Sequence, residues 1–344
     1  MERPHILQFN LDELKDFFRL RFTEQGYRAK QLLDQIYRHK VLDPQQMANL
    51  PLPLREGLKN ELGFDLPEVV ASQKSSDGTQ KYLLRLVDGV CVESVFIPET
   101  RRYTICFSTQ AGCPVGCSFC ATGQGGFRRN LTCPEILAQV YLLLQVNRIK
   151  SCNCVAMGQG EPFLNCEEVF KAIRILNAKE TFNLSNRHLT LSTIGIPEGI
   201  RELALKRLPC RLAVSLHSAI QEVRTKLIPL SNKYPLSELK SSLKFYVLQT
   251  KNRITFEYLL LEGINDSLSA ARALVKFAAG LPSFINLIPW NHVAGLGFEA
   301  PRPERVKKFA SFLEAKGFPV AIRRERGSDI NAACGQLTQT GLAV

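Results

Sequence analysis

The sequence predicts an α/β protein: a partial (β/α)6 barrel, preceded by a small N-terminal helical domain and a β-rich linker. Three observations carry this. Residues 11–62 place apolar side chains at helical spacing, residues 68–98 switch to short alternating or β-branched runs, and beyond residue 100 six apolar runs alternate with amphipathic stretches. The domains so read are 1–65, 66–100 and 101–344. At 344 residues and 45% apolar content the chain can bury one large core and a small one.

In the first region, LDELKDFFRLRF (11–22) and YRAKQLLDQIYRHK (27–40) read as helices, and Pro51 and Pro53 punctuate before LREGLKNELG (54–63). The linker holds VVASQKS (69–75), QKYLLRLV (80–87) and VCVESVFIP (90–98), separated by the turn signals Ser76-Asp77-Gly78 and Asp88-Gly89. The strands expected in the barrel are RYTICFS (102–108), NCVAMG (153–158), RHLTLST (187–193), RLAVSL (211–216), RITFEYLLL (253–261) and FINLIP (284–289). Most are followed by a helical stretch such as CPEILAQVYLLLQV (133–146), which Thr132 and Glu135 open as a capping box. Near-continuous apolar strands between amphipathic helices argue a parallel sheet with helices outside. Functional residues are then expected at the strand C-termini. A flavodoxin-like or Rossmann open sheet is the alternative that the repeat count leaves open.

No apolar run reaches the roughly 18–20 residues of a membrane span, and the N-terminus lacks a basic-then-apolar secretory pattern, so a cytoplasmic protein is expected. Eleven cysteines make an odd number with no small-scaffold spacing, which in a reducing compartment leaves free thiols as metal ligands, catalysts or core fillers. The net charge of +12 is uneven. Residues 1–65 carry ten Lys or Arg against ten Asp or Glu, whereas 101–344 carry 31 against 17. The clusters Arg101-Arg102, Arg128-Arg129 and Arg323-Arg324 with Arg326 suit a polyanion such as nucleic acid; a solvated, solubilising surface is the plainer reading.

The stretch CPVGCSFCATGQ (113–124) follows the first barrel strand, where a barrel puts active-site loops. Thiolates of Cys113, Cys117 and Cys120 on a Gly-bearing turn can bind three irons of a [4Fe–4S] cluster and leave the fourth open to a substrate. A structural zinc would want a fourth Cys or His, and the nearest cysteine, Cys133, lies 13 residues on. Buried cysteines without a ligand are the remaining alternative. In GQGEPFLN (158–165) the glycines alone would fit an ordinary tight loop.

The CxxxCxxC run with Phe119 before its last cysteine, the whole of 108–132, GQGEPFLN, AVSLHS (213–218), KYP (233–235), FEYLLLEGINDS (256–267), NLIPWN (286–291) and RGSDINAACGQL (326–337) resemble the radical S-adenosylmethionine (SAM) RNA adenine methyltransferases of the RlmN and Cfr type. The likeness spans nearly the whole chain. One departure is Gln159, where family members usually carry Met.

The resemblance implies a radical SAM barrel, a [4Fe–4S] cluster on Cys113, Cys117 and Cys120, and SAM bound at Gly160, Glu161, Ser192, Ser215, Leu216, His217 and Asn291. Adenine C2 lacks a lone pair, so it cannot attack a SAM methyl directly, and the implied route uses two SAM molecules. Cys334 takes a methyl from the first, as a strong sulfur nucleophile. The second is split to a 5′-deoxyadenosyl radical that removes a hydrogen from that methyl. The resulting carbon radical bonds the base, Glu93 accepts the C2 proton, and Cys106 closes a disulfide with Cys334 to release the product. Taken alone, Cys106 reads equally as a half-buried strand residue, Glu93 as a solvent-facing carboxylate and His217 as either a general base or a core histidine.

The implied substrate is 23S rRNA at the peptidyl transferase centre, with tRNA as a second candidate. The helical domain would be an RNA-binding accessory, the electron donor a flavodoxin or ferredoxin, and the protein a monomer. C8 methylation of the Cfr type is the alternative, which Pro289 and the GQGEP run disfavour. Methylthiolation or glycyl-radical generation is a second class of alternative, of which methylthiolation would need a second cysteine triad, and plain RNA binding with a structural cluster or metal would leave Cys106 and Cys334 idle.

Overall fold

The computed structural model describes residues 3–22, 26–100 and 102–338. Asn10 opens α1 (Leu11–Arg21): its side-chain oxygen accepts from the Asp12 and Glu13 N–H groups, and the Glu13 carboxylate accepts from the Asn10 N–H. Two further helices, α2 (Tyr27–Tyr37) and α3 (Leu52–Glu61), complete the helical segment. The chain then lays down β1 (Glu68–Lys74), β2 (Gln80–Arg85), β3 (Cys91–Glu99) and β4 (Arg102–Cys106) as an antiparallel run. Arg101, expected in a basic pair with Arg102, lies outside the described residues.

A small hairpin follows, β5 (Gln110–Gly112) against β6 (Phe127–Asn130), with the turn α4 (Ala121–Gln124) between its strands. From there helix and strand alternate: α5 (Cys133–Val146), β7 (Asn153–Ala156), α6 (Cys166–Asn177), β8 (Leu189–Thr193), α7 (Pro197–Leu205) and β9 (Arg211–Ser215). The rest is α8 (Gln221–Leu227), α9 (Leu236–Thr250), β10 (Ile254–Leu260), α10 (Leu268–Ala278), β11 (Ser283–Pro289), α11 (Pro303–Ala315) and β12 (Val320–Ile322).

The sheet order is β1-β2-β3-β4-β7-β8-β9-β10-β11-β12, parallel from β4 onward. The parallel strands run in chain order without reversal, which excludes the doubly wound alternative, since that fold reverses strand order at its ligand crevice. Two features depart from the sequence reading. The stretch 66–100 supplies three strands of the same sheet that holds the barrel, and β12 adds a seventh parallel strand, at three residues too short to show periodicity. Glu135 does cap α5, accepting from the Thr132 N–H at 2.8 Å.

The N-terminal helices share one hydrophobic core with the barrel. Helix α5 is the common wall: the Tyr141 hydroxyl donates to the Ile36 carbonyl (3.0 Å), the Gln145 amide donates to the Lys40 carbonyl (2.9 Å), and the Tyr37 ring packs edge-on against Phe182 and Tyr141. Two buried amides close to residues 108–110, which follow β4, differ in how well they are satisfied. Gln139 donates to the Ser108 and Glu135 carbonyls and accepts from the Ser94 hydroxyl and the Ser108 N–H. Gln159, equally buried, leaves both amide atoms without a hydrogen-bond partner among the described residues.

An unpaired buried amide costs roughly 1–3 kcal/mol. Gln159→Met removes both unpaired atoms while conserving length, so the variant is expected to unfold a few degrees higher in a thermal melt followed by circular dichroism. A lower melting temperature would show that the amide has found partners the fold needs.

Candidate active site

Strand β4 runs out into 107–110, and the loop 158–161 crosses it at backbone contact. Gly158 donates to the Phe107 carbonyl (3.1 Å), and the Thr109 and Gln110 N–H groups donate to the Gln159 carbonyl. A Cβ on Gly158 would sit 2.7 Å from the Phe107 oxygen, and one on Gly160 would sit 2.6 Å from Gln110 Cβ at a backbone φ of +105°. Only glycine fits at either place. The glycines are therefore required by this crossing, whatever the loop binds.

The β5–β6 hairpin carries the three cysteines. Cys113 N–H donates to the Gly126 carbonyl (2.9 Å), and Cys120 N–H to the Cys117 carbonyl (3.2 Å), which folds 113–120 into a tight turn. Burial raises all three thiols, Cys113 to about 12. Among the described residues no three Cys, His, Asp or Glu side chains converge as a single metal ion would require. Thiolates at separate corners of a four-iron cluster need not converge.

The counter-charge beneath this turn is Arg224 of α8, at 1% exposure one of the most deeply buried side chains in the protein. Its guanidinium donates to the Ile194 and Leu216 carbonyls, while Nη1 has no hydrogen-bond partner among the described residues. Its field acts on Cys117 and Glu161, which in turn offset the downward push of burial on its own pKa. An orphaned cationic N–H beside buried thiols fits a negatively charged thiolate cluster. Sequence reading passed over Arg224; the available signal was an arginine among Val223, Leu227 and Ile228 immediately after AVSLHS.

One cavity is lined by the three cysteines, Gly158, Gly160, Glu161, Ser192, Ser215, His217, Glu257, Trp290, Arg323 and Cys334. Most of the expected SAM residues therefore meet the expected cluster ligands. Glu161 already serves the fold: its carboxylate accepts from the Phe163 N–H (3.0 Å), the Thr193 hydroxyl (2.7 Å) and the Ile194 N–H (2.7 Å). Burial nevertheless lifts its pKa to about 7. Ser192 and Ser215 face each other, hydroxyl to hydroxyl, at 3.4 Å.

His217 takes a left-handed φ of 54° and its Nδ1 accepts from the Leu259 N–H at 3.0 Å, so a neutral ring carries its proton on Nε2. Burial, reinforced by Arg224, drives its pKa down to about 3. The ring is thus a fixed donor rather than a general base. The Leu216 side chain is fully buried and lines neither of the two central cavities; its carbonyl instead anchors Arg224. Sequence reading also missed Glu257, a buried strand carboxylate that accepts from the Asn286 amide at 2.7 Å.

A second cavity adjoins the first. It is lined by Cys106, Pro289, Asn291, Arg324, Arg326 and, shared with the first cavity, Met157, Ile288, Trp290, Arg323 and Cys334. Asn291 belongs here: its amide donates to the Cys334 carbonyl at 3.0 Å, holding the loop. Burial pushes the Cys106 thiol up to about 12, with Cys334 the next contributor. Glu93 lines neither cavity. Its carboxylate is buried beneath the C-terminal segment, paired with Lys81 and accepting from the Thr338 N–H.

The basic clusters separate on inspection. Arg129 is committed to a two-pronged pair with Glu135 (2.8 Å each) and to Asp88 (2.7 Å), Arg326 to Asp77, and Arg102 to Glu99. Arg128 and Arg324 are exposed and have no ion-pair partner among the described residues.

The comparisons agree with this geometry. The Radical SAM superfamily model matches residues 107–271, and the Ribosomal RNA large subunit methyltransferase N-terminal domain matches residues 5–63. A "Dual-specificity RNA methyltransferase RlmN" from Halorhodospira halophila is 43% identical over 98% of this chain and 92% of its own. A "Probable dual-specificity RNA methyltransferase RlmN" from Dictyoglomus turgidum is 42% identical over 97% of this chain and 96% of its own. The crystal structure of a radical SAM methyltransferase from Sphaerobacter thermophilus superposes with a TM-score of 0.92 at 39% identity, over 98% of this chain and 99% of that one. No helix among the described residues is long and apolar enough to cross a membrane. With a cysteine triad at the mouth of a partial barrel, and likeness along its whole length, the chain belongs to the RlmN family of radical SAM RNA methyltransferases, enzymes that use a [4Fe–4S] cluster and SAM.

Proposed function

We propose that the protein methylates C2 of an adenosine in 23S rRNA at the peptidyl transferase centre, with tRNA as a second substrate, through a methyl carried on Cys334. The observation that carries this reading is that Cys334 lines both cavities, the one holding the cysteine triad and the one holding Cys106. Pro289, in the run that resembles the C2 enzymes, lines the second cavity. C8 methylation is the competing outcome, and mass spectrometry of the modified nucleoside distinguishes the two.

Cys113, Cys117 and Cys120 would hold the cluster, and Gly160, Glu161, Ser192, Ser215 and His217 would surround SAM. When bound, the pair supplies a 5′-deoxyadenosyl radical able to abstract a hydrogen atom. The protein's own residues do the rest. The Cys334 sulfur accepts a methyl by displacement and presents it to both cavities. His217, with Nδ1 taken by the Leu259 N–H, would have its Nε2–H to offer to bound SAM. Glu93 takes the C2 proton once the base is bonded to the Cys334 methyl carbon. The Cys106 thiol then gives up its proton and its sulfur attacks the Cys334 sulfur; as the disulfide forms, the carbon–sulfur bond breaks, its electron pair stays on the product carbon, and that carbon takes up a proton to become the methyl group. The reducing power comes from a flavodoxin or ferredoxin, and a monomer in the cytoplasm suffices. The N-terminal helices, with balanced charge, would meet structured RNA by shape.

Cys334→Ala is expected to place no methyl on protein or RNA while keeping its iron. Cys106→Ala is expected to leave RNA covalently attached at Cys334, visible as a nuclease-sensitive shift on a denaturing gel. Normal turnover by either variant would overturn the scheme.

RNA binding is expected to weaken steeply with salt, because each phosphate contact releases counterions. Arg324→Ala should reduce the slope of log affinity against log salt by about 0.7–0.9. Arg129→Ala should leave that slope unchanged, since Arg129 is spent on Glu135 and Asp88. Equal slopes for wild type and Arg324→Ala in filter-binding titrations would remove Arg324 from the RNA face.

A further inference from the structure

The turn carrying Cys334 rests on β2 and β3. In their register Leu83 opposes Glu93 and Lys81 opposes Val95, so Lys81 and Glu93 are diagonal neighbours on one face. That face is covered: Val95 and Cys106 cluster with Ala332 and Leu337 of the C-terminal segment. Lys81 Nζ lies 3.1 Å from Glu93 Oε1, with side-chain exposures of 7% and 1%. Each member of the pair also holds one end of the turn. Lys81 Nζ donates to the Asn331 carbonyl (3.2 Å), and Glu93 Oε2 accepts from the Thr338 N–H (2.6 Å).

A buried ion pair recovers its desolvation cost only when further hydrogen bonds complete it, and among the described residues those bonds come from the two flanks of Cys334. An apolar pair of similar size would pack as well between strands but could not hold backbone groups of the turn. The arrangement also occupies both Glu93 oxygens.

We propose that Lys81 is a positioning residue: with Glu93 it clasps the Cys334 turn at both ends, so the Glu93 carboxylate becomes free to accept a proton only when the turn lets go. The second half rests on the reading of Glu93 as proton acceptor, whereas the clasp does not. While the turn is held, Cys334 is kept at the cavities and Glu93 is withheld from solvent and from the base. Release of the turn breaks the Thr338 contact and frees one carboxylate oxygen, while Lys81 stays beside the other and favours the charged form. Loop movement and base availability thereby become one event.

The test is hydrogen exchange by mass spectrometry on the full-length, cluster-loaded protein and its Lys81→Met, Lys81→Arg and Glu93→Gln variants. Lys81→Met should speed exchange across 331–338 at least tenfold, with peptides from β8–β11 within twofold of wild type. Lys81→Arg, which keeps charge and donors, should restore most of the protection. In turnover, Lys81→Met should raise 5′-deoxyadenosine formed per methylated RNA at least fivefold with the KM for RNA unchanged, again restored by Arg. If Lys81→Met loosens the whole protein, Glu93→Gln decides, with the same local increase expected. Unchanged exchange over 331–338 in the folded variants, or Lys81→Arg behaving as Lys81→Met, overturns the clasp. A wild type that neither splits SAM nor methylates RNA overturns the functional reading instead, and the exchange result still stands on its own.

Discussion

The site depends on one backbone hydrogen bond, from the Ala121 N–H to the Gly335 carbonyl at 2.7 Å. It joins the residue after the last cysteine of the triad to the residue after Cys334, across more than 200 residues of chain. The Thr122 hydroxyl donates to the Leu337 carbonyl at 2.7 Å beside it, and the Gln336 amide donates to the His292 carbonyl at 2.8 Å. Closing so long a loop costs entropy that grows only slowly with length, so the barrel between the two ends can be large. The contacts that close it must be exact in geometry, and backbone groups on tight turns meet that need. Trp290 completes the junction by donating its indole N–H to the Phe119 carbonyl at 3.1 Å.

Everything else positions charge around this junction. Arg224 lies beneath the cysteine turn, Arg323 lines both cavities, and Glu161 and Glu257 border the first. The Arg323 pKa is raised despite burial, with the neighbouring Cys334 the first cause and Glu257 the next after burial. Such buried charges are costly alone, and each is answered by another within the site. The β2–β3 platform extends the same logic to the far side of the Cys334 turn. A stretch that reads as a linker in sequence is the floor on which the C-terminal segment is held.

Sequence reading reached the strands of the barrel because their apolar runs and the helices between them have distinct periods. It reached Cys113, Cys117 and Cys120 because short-range spacing is itself the chemical signal. Where it fell short, the deciding partner is distant in the chain. Nothing near Arg129 announces that Asp88, 41 residues away, takes one side of its guanidinium, and nothing near Lys81 announces Asn331, 250 residues away. Gly160 looks like a ligand-binding glycine, yet the reason for it lies in Gln110 crossing beneath. The resemblance places Glu161 and Asn291 at SAM, and in the fold each first restrains another loop. The dual use is physical economy: a side chain locked by one hydrogen bond presents its remaining lone pair or proton in a fixed direction.

The two lone cysteines show why burial matters as much as proximity. Cys106 and Cys334 line one cavity in a chain whose described cysteines are all free thiols. Attack on sulfur requires a thiolate, and burial holds the Cys106 thiol near 12, so at neutral pH its reactive form is scarce. Arg323 and a hydrogen bond from the Met157 backbone lower that value only in part. Under the proposed scheme, a resolving thiol kept protonated is slow to close a disulfide with a partner that has yet to do its work. An exposed, acidic thiol in the same place would react early and remove both sulfurs from use. The position of Cys106 at the buried end of β4, beneath Ala332 and Leu337, therefore suits the last step of the scheme better than the first.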